Sequence, residues 1–243
     1  MISVVIPIYN EEEMLNQYEV SLYPVIDRIK TTFKMEFEII LVDDRSRDAS
    51  WKIIGELAKK RKDTIGVSHE KNRGMGGALK TGIAHSHGDL IIFLDADLTF
   101  RPEDIAILLQ EYDKNSADCI SGSPYLKPGL MADVQRYRMI LSRMVNILYR
   151  ILLGQKITSI SPIFRLYKKK VFDRISLSSE NFEINAEILS KMIFLDMTIL
   201  EVPVALHERK LGESKANLTK SIKSHLMILY RIFSVKYLGQ EWK

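Results

Sequence analysis

The chain reads as an α/β protein: a mostly parallel sheet flanked by helices, with amphipathic helices toward its C-terminal end. Three observations predict this. Short β-branched runs alternate with helix-patterned segments over the first 120 residues or so, as βαβ units require. Carboxylates follow several of those runs directly, where the strand ends of such a sheet gather their ligands. No linker, repeat or low-complexity tract divides the chain, so residues 1–243 are expected to form one domain.

The elements follow in order. Ile2–Ile8 is a β-branched run, and Glu11–Phe33 is helical in pattern with a kink or break expected at Pro24. Phe37–Val42 is a second buried strand, followed by a helix from Ala49 to Lys60. Thr64–Ser68 is a short strand, and Gly76–His85 a helix behind a glycine-rich entry. Leu90–Leu94 is the next strand, Pro102–Tyr112 a helix with proline at its start, and Ala117–Gly122 a further strand. The second half changes character. Leu130–Leu153 is one long helical pattern, Ile163–Tyr167 a strand, Asn185–Phe194 a helix and Thr198–Val202 a strand. A polar loop, HERKLGESKAN, leads to a last helix from Thr219 to Leu238.

Composition narrows the class. With 243 residues, 46% of them hydrophobic and 27% charged, the chain can bury a substantial core and is neither collagenous, disordered nor a disulfide-stapled mini-protein. A single cysteine, Cys119, excludes an internal disulfide and a multi-cysteine metal site. The opening MISVVIPIYN lacks a positive n-region, and no apolar run reaches the roughly 18–20 residues of a membrane span. A reduced, cytoplasmic, non-spanning protein is expected. The net charge of +4 is uneven: +5 between Lys127 and Lys156, +6 from Arg209 to Lys243, and −7 over the rest. The acidic half suits a metal or polar ligand. The basic half suits an anionic partner or a solvated helix face, and no nucleic acid is expected.

The chemistry gathers at the strand ends. The first strand ends in Pro7, Tyr9, Asn10 and Glu11, the second in Asp43 and Asp44, the fourth in Asp95-Ala96-Asp97. A dinucleotide-binding domain would carry glycines directly after its first strand, and here the residues are Tyr-Asn-Glu. Asp95 and Asp97 stand two apart on extended backbone, so both face one way and can hold Mg²⁺ or Mn²⁺ against a diphosphate. Asp44 and Asp48 also read as turn and helix-cap residues. The run Asn72–Lys80 lacks the Walker A spacing and fits either a ligand-lining loop or a tight helix entry.

Five motifs in order, VVIPIYNEEE, ILVDDRSRDAS, NRGMGGALKTG, GDLIIFLDADL and HERKLGESK, resemble the family 2 inverting glycosyltransferases of GT-A (Rossmann-like) fold. Within that family the likeness is to the dolichol-phosphate mannosyltransferase and polyprenyl-phosphate glycosyltransferase branch. The resemblance implies a nucleotide-sugar half over residues 1–125 and an acceptor half with interface helices over 126–243. It implies that Pro7, Tyr9, Asn10, Glu11, Leu41 and Asp43 contact the nucleoside, that Ala96 lines the nucleotide, and that Asp95 and Asp97 bind the metal. Arg209 and Lys215, in R-x-x-G-x-S-K, would reach the diphosphate, while Arg138 and Ser142 would hold the acceptor's phosphate.

On the Leu130–Leu153 pattern, Ile140, Leu141, Met144, Val145, Ile147, Leu148, Ile151 and Leu152 form one apolar arc, edged by Arg136, Arg143 and Arg150. Ile222–Leu238 repeats the design with Lys220, Lys223, Arg231 and Lys236. Such helices suit an anionic membrane interface, or packing on the sheet. No convincing general base is found: Glu180, Glu183 and Glu187 are the candidates, and a lipid phosphate would need none. Two positions depart from the family pattern. Pro124 in Gly-Ser-Pro-Tyr replaces an arginine, and Ser159 in SISPIFR replaces an acidic residue.

The expected activity is metal-dependent transfer of a hexose, from a nucleotide diphosphate sugar of GDP-mannose or UDP-glucose type, to a polyprenyl or dolichyl phosphate at the cytoplasmic membrane face. A soluble or glycan acceptor, a catalytically silent nucleotide-sugar-binding subunit and a nucleotidyltransferase are the alternatives.

Overall fold

The computed structural model describes residues 1–131, 136–209, 211 and 218–242, without the side chains of 136–138 and 218–221. Seven strands form one sheet: β1 (Ile2–Ile8), β2 (Phe37–Asp43), β3 (Thr64–Ser68), β4 (Leu90–Phe93), β5 (Cys119–Ser123), β6 (Arg165–Lys168) and β7 (Ile199–Pro203). The order is β3-β2-β1-β4-β6-β5-β7, parallel except for β6, which runs antiparallel to both its neighbours. The expected mostly parallel α/β sheet is therefore what forms.

The strands are apolar on both faces because both faces are covered. Alternate residues of each strand go to opposite sides. Ile2, Val4, Ile6, Ile39, Leu41 and Ile92 enter one core, packed on the side of α3 (Tyr23–Phe33), α4 (Ser50–Lys60) and α6 (Ile105–Asn115). Val5, Ile40, Val42, Ile91 and Phe93 enter the other, shared with α5 (Gly74–His85), α7 (Arg136–Leu153), α9 (Ile184–Phe194) and α10 (Leu218–Leu238). Cys119 is buried in that second core, and burial pushes its thiol pKa up to about 12. It is a packing residue.

Two expectations are refined. The helical segment after β1 is interrupted beside Pro24 as expected, at Leu22, and once more before Tyr18: it is α1 (Glu12–Leu15), α2 (Tyr18–Ser21) and then α3, with Pro24 in the first turn of α3. Proline lacks only an N–H that a first turn leaves unbonded, so it starts this helix instead of breaking one. The 102–112 helix opens with a 3₁₀ turn, Pro102–Asp104, before α6. The expected strand near residue 120 forms as β5, and β6 lies between it and β4. A short helix, α8 (Val171–Arg174), lacked a sequence signal.

Candidate active site at the strand ends

The loops after β1 and β2 are fastened into one rim. Asn10, held at a positive φ of 54°, accepts the Arg47 amide at 2.7 Å with its side-chain oxygen and donates its own amide to Ser46 Oγ at 2.9 Å. The Glu11 amide donates to Ser50 Oγ at 2.9 Å, and the Glu12 amide to Asp48 Oδ2 at 3.2 Å. Asp48 also accepts the Ser50 amide at 2.9 Å, so it serves the turn that enters α4, while the cap position itself is Ala49. Asp43, buried, accepts from the Ser46 amide and from Ser68 Oγ at 3.0 Å. Asp44 turns the other way. Its carboxylate meets His69 Nδ1 at 2.8 Å and the Arg73 amide at 2.7 Å, and His69 Nε2 meets Thr81 Oγ1 at 2.8 Å. Pro7 and Leu41 lie buried inside β1 and β2, beneath this rim, and Tyr9 is half-buried at its edge.

Next to the rim stands the turn after β4. Asp97 Oδ1 accepts the Thr99 amide at 3.1 Å, and Leu98 takes a positive φ of 53° to close the turn. The Ala96 carbonyl accepts a hydrogen bond from the hydroxyl of Tyr18 at 2.9 Å, inside the protein. Tyr18 was not singled out from the sequence. Nothing in a tyrosine on an amphipathic segment announces a partner 78 residues away.

Arg209 completes the cluster. Its guanidinium is hydrogen-bonded to Glu11 and lies 3.5 Å from Asp97 Oδ2, while its Nε donates to the Leu211 carbonyl at 2.7 Å. Glu11, Asp95, Asp97 and Arg209 are thus brought together from three separate parts of the chain. Burial pushes the Asp95 carboxyl well up from its ordinary value; the charges of Asp97 and Glu11 push it further and Arg209 pulls it back. Negative charge is in excess here, at half-buried side chains where water disperses it only in part. Hard carboxylate oxygens with surplus charge fit Mg²⁺ or Mn²⁺. Among the described residues, no three His, Cys, Asp or Glu side chains converge as a ready cage. Asp95 and Asp97 therefore offer a two-carboxylate platform of the kind that leaves other ligand positions to phosphates and water.

The other expected residues divide. Lys215 lies outside the described residues, as does the side chain of Arg138 on α7. Ser142 is described, and its side chain lies near Tyr125, where it offsets part of the rise that burial gives that phenol's pKa. The glycine run is a tight helix entry: a Cβ on Gly76 would lie 2.5 Å from the Ser179 carbonyl oxygen, and the Gly76 amide donates to the Glu180 carbonyl at 2.7 Å. Of the candidate bases, Glu187 is engaged inside the protein. Its burial alone would raise its pKa, but hydrogen bonds from Lys191, Ser178 and Ser179 outweigh that and hold it below the usual range.

At the departures from the family pattern, the structure shows a built feature. Arg165 is fully buried and donates to the carbonyls of Ser159, Ile160 and Asn185. Glu201 accepts the amides of Thr158 and Ser159 at 2.8 and 3.0 Å. The 158–160 segment is clamped between a buried cation and a carboxylate, without an acidic residue at position 159.

The comparisons agree with this architecture. Residues 3–176 match the model for glycosyl transferase family 2. A dolichol-phosphate mannosyltransferase of Pyrococcus furiosus is 33% identical over 242 residues, 98% of this chain; the chain spans only 65% of that protein's length. A polyprenol monophosphomannose synthase of Mycolicibacterium smegmatis is 30% identical over 219 residues, covering 87% of this chain and 79% of that one. Among solved structures, glucosyl-3-phosphoglycerate synthase from Mycobacterium tuberculosis, in complex with Mn²⁺, uridine diphosphate and glucosyl-3-phosphoglycerate, superposes with a TM-score of 0.67 at 17% identity, over 96% of this chain and 78% of that one. The last likeness is one of fold. A match over most of the chain and a relative 30% identical over 87% of it place this protein in glycosyl transferase family 2.

Proposed function

We propose that the protein is a metal-dependent inverting glycosyltransferase that moves one hexose from a nucleotide diphosphate sugar to a polyprenyl phosphate at a membrane surface. The observation that carries this reading is the convergence of Asp95, Asp97 and Glu11 with Arg209 at the carboxyl ends of β1 and β4. The two named relatives, both described as acting on lipid-phosphate acceptors by their names, support the acceptor class.

A Mg²⁺ or Mn²⁺ ion held by Asp95 and Asp97 would supply Lewis-acid stabilisation of the donor's diphosphate. The rim of Asn10, Glu11 and Asp43 orients the nucleoside, and Tyr18 holds the Ala96 carbonyl so that the two aspartates keep their spacing. In the transfer, an acceptor phosphate oxygen forms a bond to the anomeric carbon as the bond from that carbon to the β-phosphate oxygen breaks. The electron pair leaves with the nucleoside diphosphate, and configuration inverts. Arg209 contributes where that negative charge grows, which is where a fixed cation lowers a barrier most. A phosphate acceptor is already anionic near neutral pH, so no protein base is required.

The membrane part of the reading rests on α7 and α10. They pack together, with the Tyr149 hydroxyl 3.0 Å from His225 Nδ1 and Lys236 Nζ donating to the Leu152 carbonyl at 2.7 Å. Their outer sides expose Ile140, Met144, Ile147 and Ile151 on one helix and Leu226, Tyr230, Phe233 and Tyr237 on the other. Arg143, Arg150, Lys223 and Lys236 stand among them, also exposed. Two adjacent apolar stripes with basic edges match an anionic bilayer surface, with the protein lying on it from the cytoplasmic side. Among the described residues, no helix is long and apolar enough to cross a membrane.

The test is release of nucleoside diphosphate from a panel of GDP- and UDP-sugars with Mg²⁺ or Mn²⁺, with and without short-chain polyprenyl phosphate. Lipid-stimulated release, abolished in Asp97→Ala, is expected. Full activity in that variant would refute the metal role, and turnover indifferent to lipid phosphate would refute the acceptor.

A further inference from the structure

The segment 158–160, between α7 and β6, is bound on several sides at once. From β7, Glu201 accepts the Thr158 amide with one carboxylate oxygen at 2.8 Å and the Ser159 amide with the other at 3.0 Å. From β6, Arg165 donates to the Ser159 and Ile160 carbonyls and, through Nε, to Ser121 Oγ of β5 at 3.0 Å. Strand pairing sets Ser121 opposite both Arg165 and Glu201, so the three side chains leave one face of the sheet side by side. Two contacts then reach outward from the segment. The hydroxyls of Thr158 and Ser123, the latter at the carboxyl end of β5, lie 2.7 Å apart, and the Ile160 amide donates to Asn146 Oδ1 on α7 at 3.1 Å.

Asn146 carries this arrangement to the helix. On α7 it follows Ser142 by one turn and Arg138 by two, on one helical row, so fixing Asn146 fixes the rotation of α7 about its axis. Asn146 and Ser159 are both buried, and among the described residues Asn146 Nδ2 and Ser159 Oγ have no hydrogen-bond partner. The segment therefore depends on the two oxygens of Glu201. A glutamine there would offer one oxygen to two N–H donors and turn its own NH₂ toward the second, leaving a buried amide unbonded.

We propose that Glu201 is a positioning residue for sugar transfer: it takes the place of the acidic residue that the family pattern carries at position 159 and, through the 158–160 segment and Asn146, sets how α7 stands against the donor end of the sheet. The inference rests on the transferase reading above, in which α7 belongs to the acceptor side. Glu201 acts through the helix and not on either substrate. Its loss should therefore be felt by the lipid phosphate and not by the nucleotide sugar, whose carboxylates and Arg209 are held by other contacts.

The experiment measures KM for a short-chain polyprenyl phosphate and for the nucleotide sugar on the whole protein, with backbone hydrogen exchange in the same samples. Glu201→Gln should raise the lipid-phosphate KM about tenfold, the size of one unmet buried donor, and leave the nucleotide-sugar KM within about twofold. Asn146→Ala cuts the link from the helix side and should do the same with Glu201 in place; it carries the test where Glu201→Gln does not fold. Amides over 141–147 should exchange faster in both variants. Adding Ser159→Asp to Glu201→Gln should recover part of the loss, because it returns a carboxylate beside the free Nδ2 of Asn146. A parental lipid-phosphate KM in Glu201→Gln, or in Asn146→Ala if the first variant does not fold, overturns the proposal. Equal rises in both KM values with a lowered melting temperature show a purely structural role and overturn it too. A double variant no better than Glu201→Gln refutes the equivalence with position 159. If the parent moves no sugar to lipid phosphate, the transferase reading falls by itself; faster exchange over 141–147 in Glu201→Gln then keeps the positioning of α7, and unchanged exchange removes it.

Discussion

The hydroxyl of Tyr18 offers a sharp test of how the carboxylate turn is held. Tyr18 is completely buried, and its O–H donates to the Ala96 carbonyl at 2.9 Å, between the two aspartates in sequence. Burial raises its pKa well above the ordinary tyrosine value, and the nearby charges of Glu11 and Asp97 raise it further, so the proton stays on oxygen throughout the working pH range. Tyr18→Phe keeps the ring and removes only that donor, leaving a buried carbonyl without it. A buried acceptor deprived of its partner costs roughly 1–3 kcal/mol. For a domain of this size that lowers the melting temperature by roughly 2–4 °C per kcal/mol. The same change frees the turn that carries Asp95 and Asp97, so metal-dependent nucleotide affinity and kcat should both fall, about tenfold for each 1.4 kcal/mol lost at the site. Thermal denaturation, with nucleoside diphosphate titration at fixed Mn²⁺, separates the two effects. If the melting temperature drops while affinity and kcat stay at parental values, the hydrogen bond supports only the core and the positioning argument fails.

Three further outcomes are expected. Gly76→Ala should destabilise the fold by about 2 kcal/mol or more, because its Cβ would meet backbone atoms of Ser179 and Glu180 at 2.5–2.9 Å and backbone yields less than a flexible side chain; a parental urea midpoint would contradict this. Glu187 has a lowered pKa in the folded protein, so its contribution to stability is full above the ordinary glutamate value and disappears as pH falls through the lowered one. Glu187→Gln should accordingly cost stability at pH 7 and much less near pH 3, read from urea midpoints at both; an equal loss at the two pH values would show that its charge is irrelevant. Ile151→Glu, at a position 68% exposed on α7, should leave the melting temperature unchanged and reduce sedimentation with anionic vesicles several-fold; undiminished sedimentation would remove that helix face from the membrane contact.

Strand ends were legible before any coordinates because two local rules suffice there. Apolar β-branched runs form strands, and in a parallel sheet the residues just past their carboxyl ends meet along one edge. Asp43, Asp95 and Asp97 follow from that, as do β1 and β3, whose bounds coincide with the expected Ile2–Ile8 and Thr64–Ser68. The interruption beside Pro24 was legible, but not that the proline opens α3, because proline has opposite meanings at a helix start and in its interior and the sequence pattern around it does not say which applies.

Other features depend on contacts that no periodicity encodes. Arg209 meets Glu11 across 198 residues, and which cation reaches that carboxylate is decided by how the loop after β7 returns over the sheet. The insertion of β6 between β4 and β5 aligns Arg165 with Ser121 and buries a guanidinium that would ordinarily stay in water. The glycine run looked equally apt as a phosphate cradle, until packing put the Ser179–Glu180 backbone against it. Chain-local chemistry therefore specified the class of fold, the carboxylates and their edge of the sheet. The pairing of Tyr18 with Ala96 and of Asp44 with His69 came from tertiary register, because side chains distant in sequence become partners only after the strands and helices between them have set the distance.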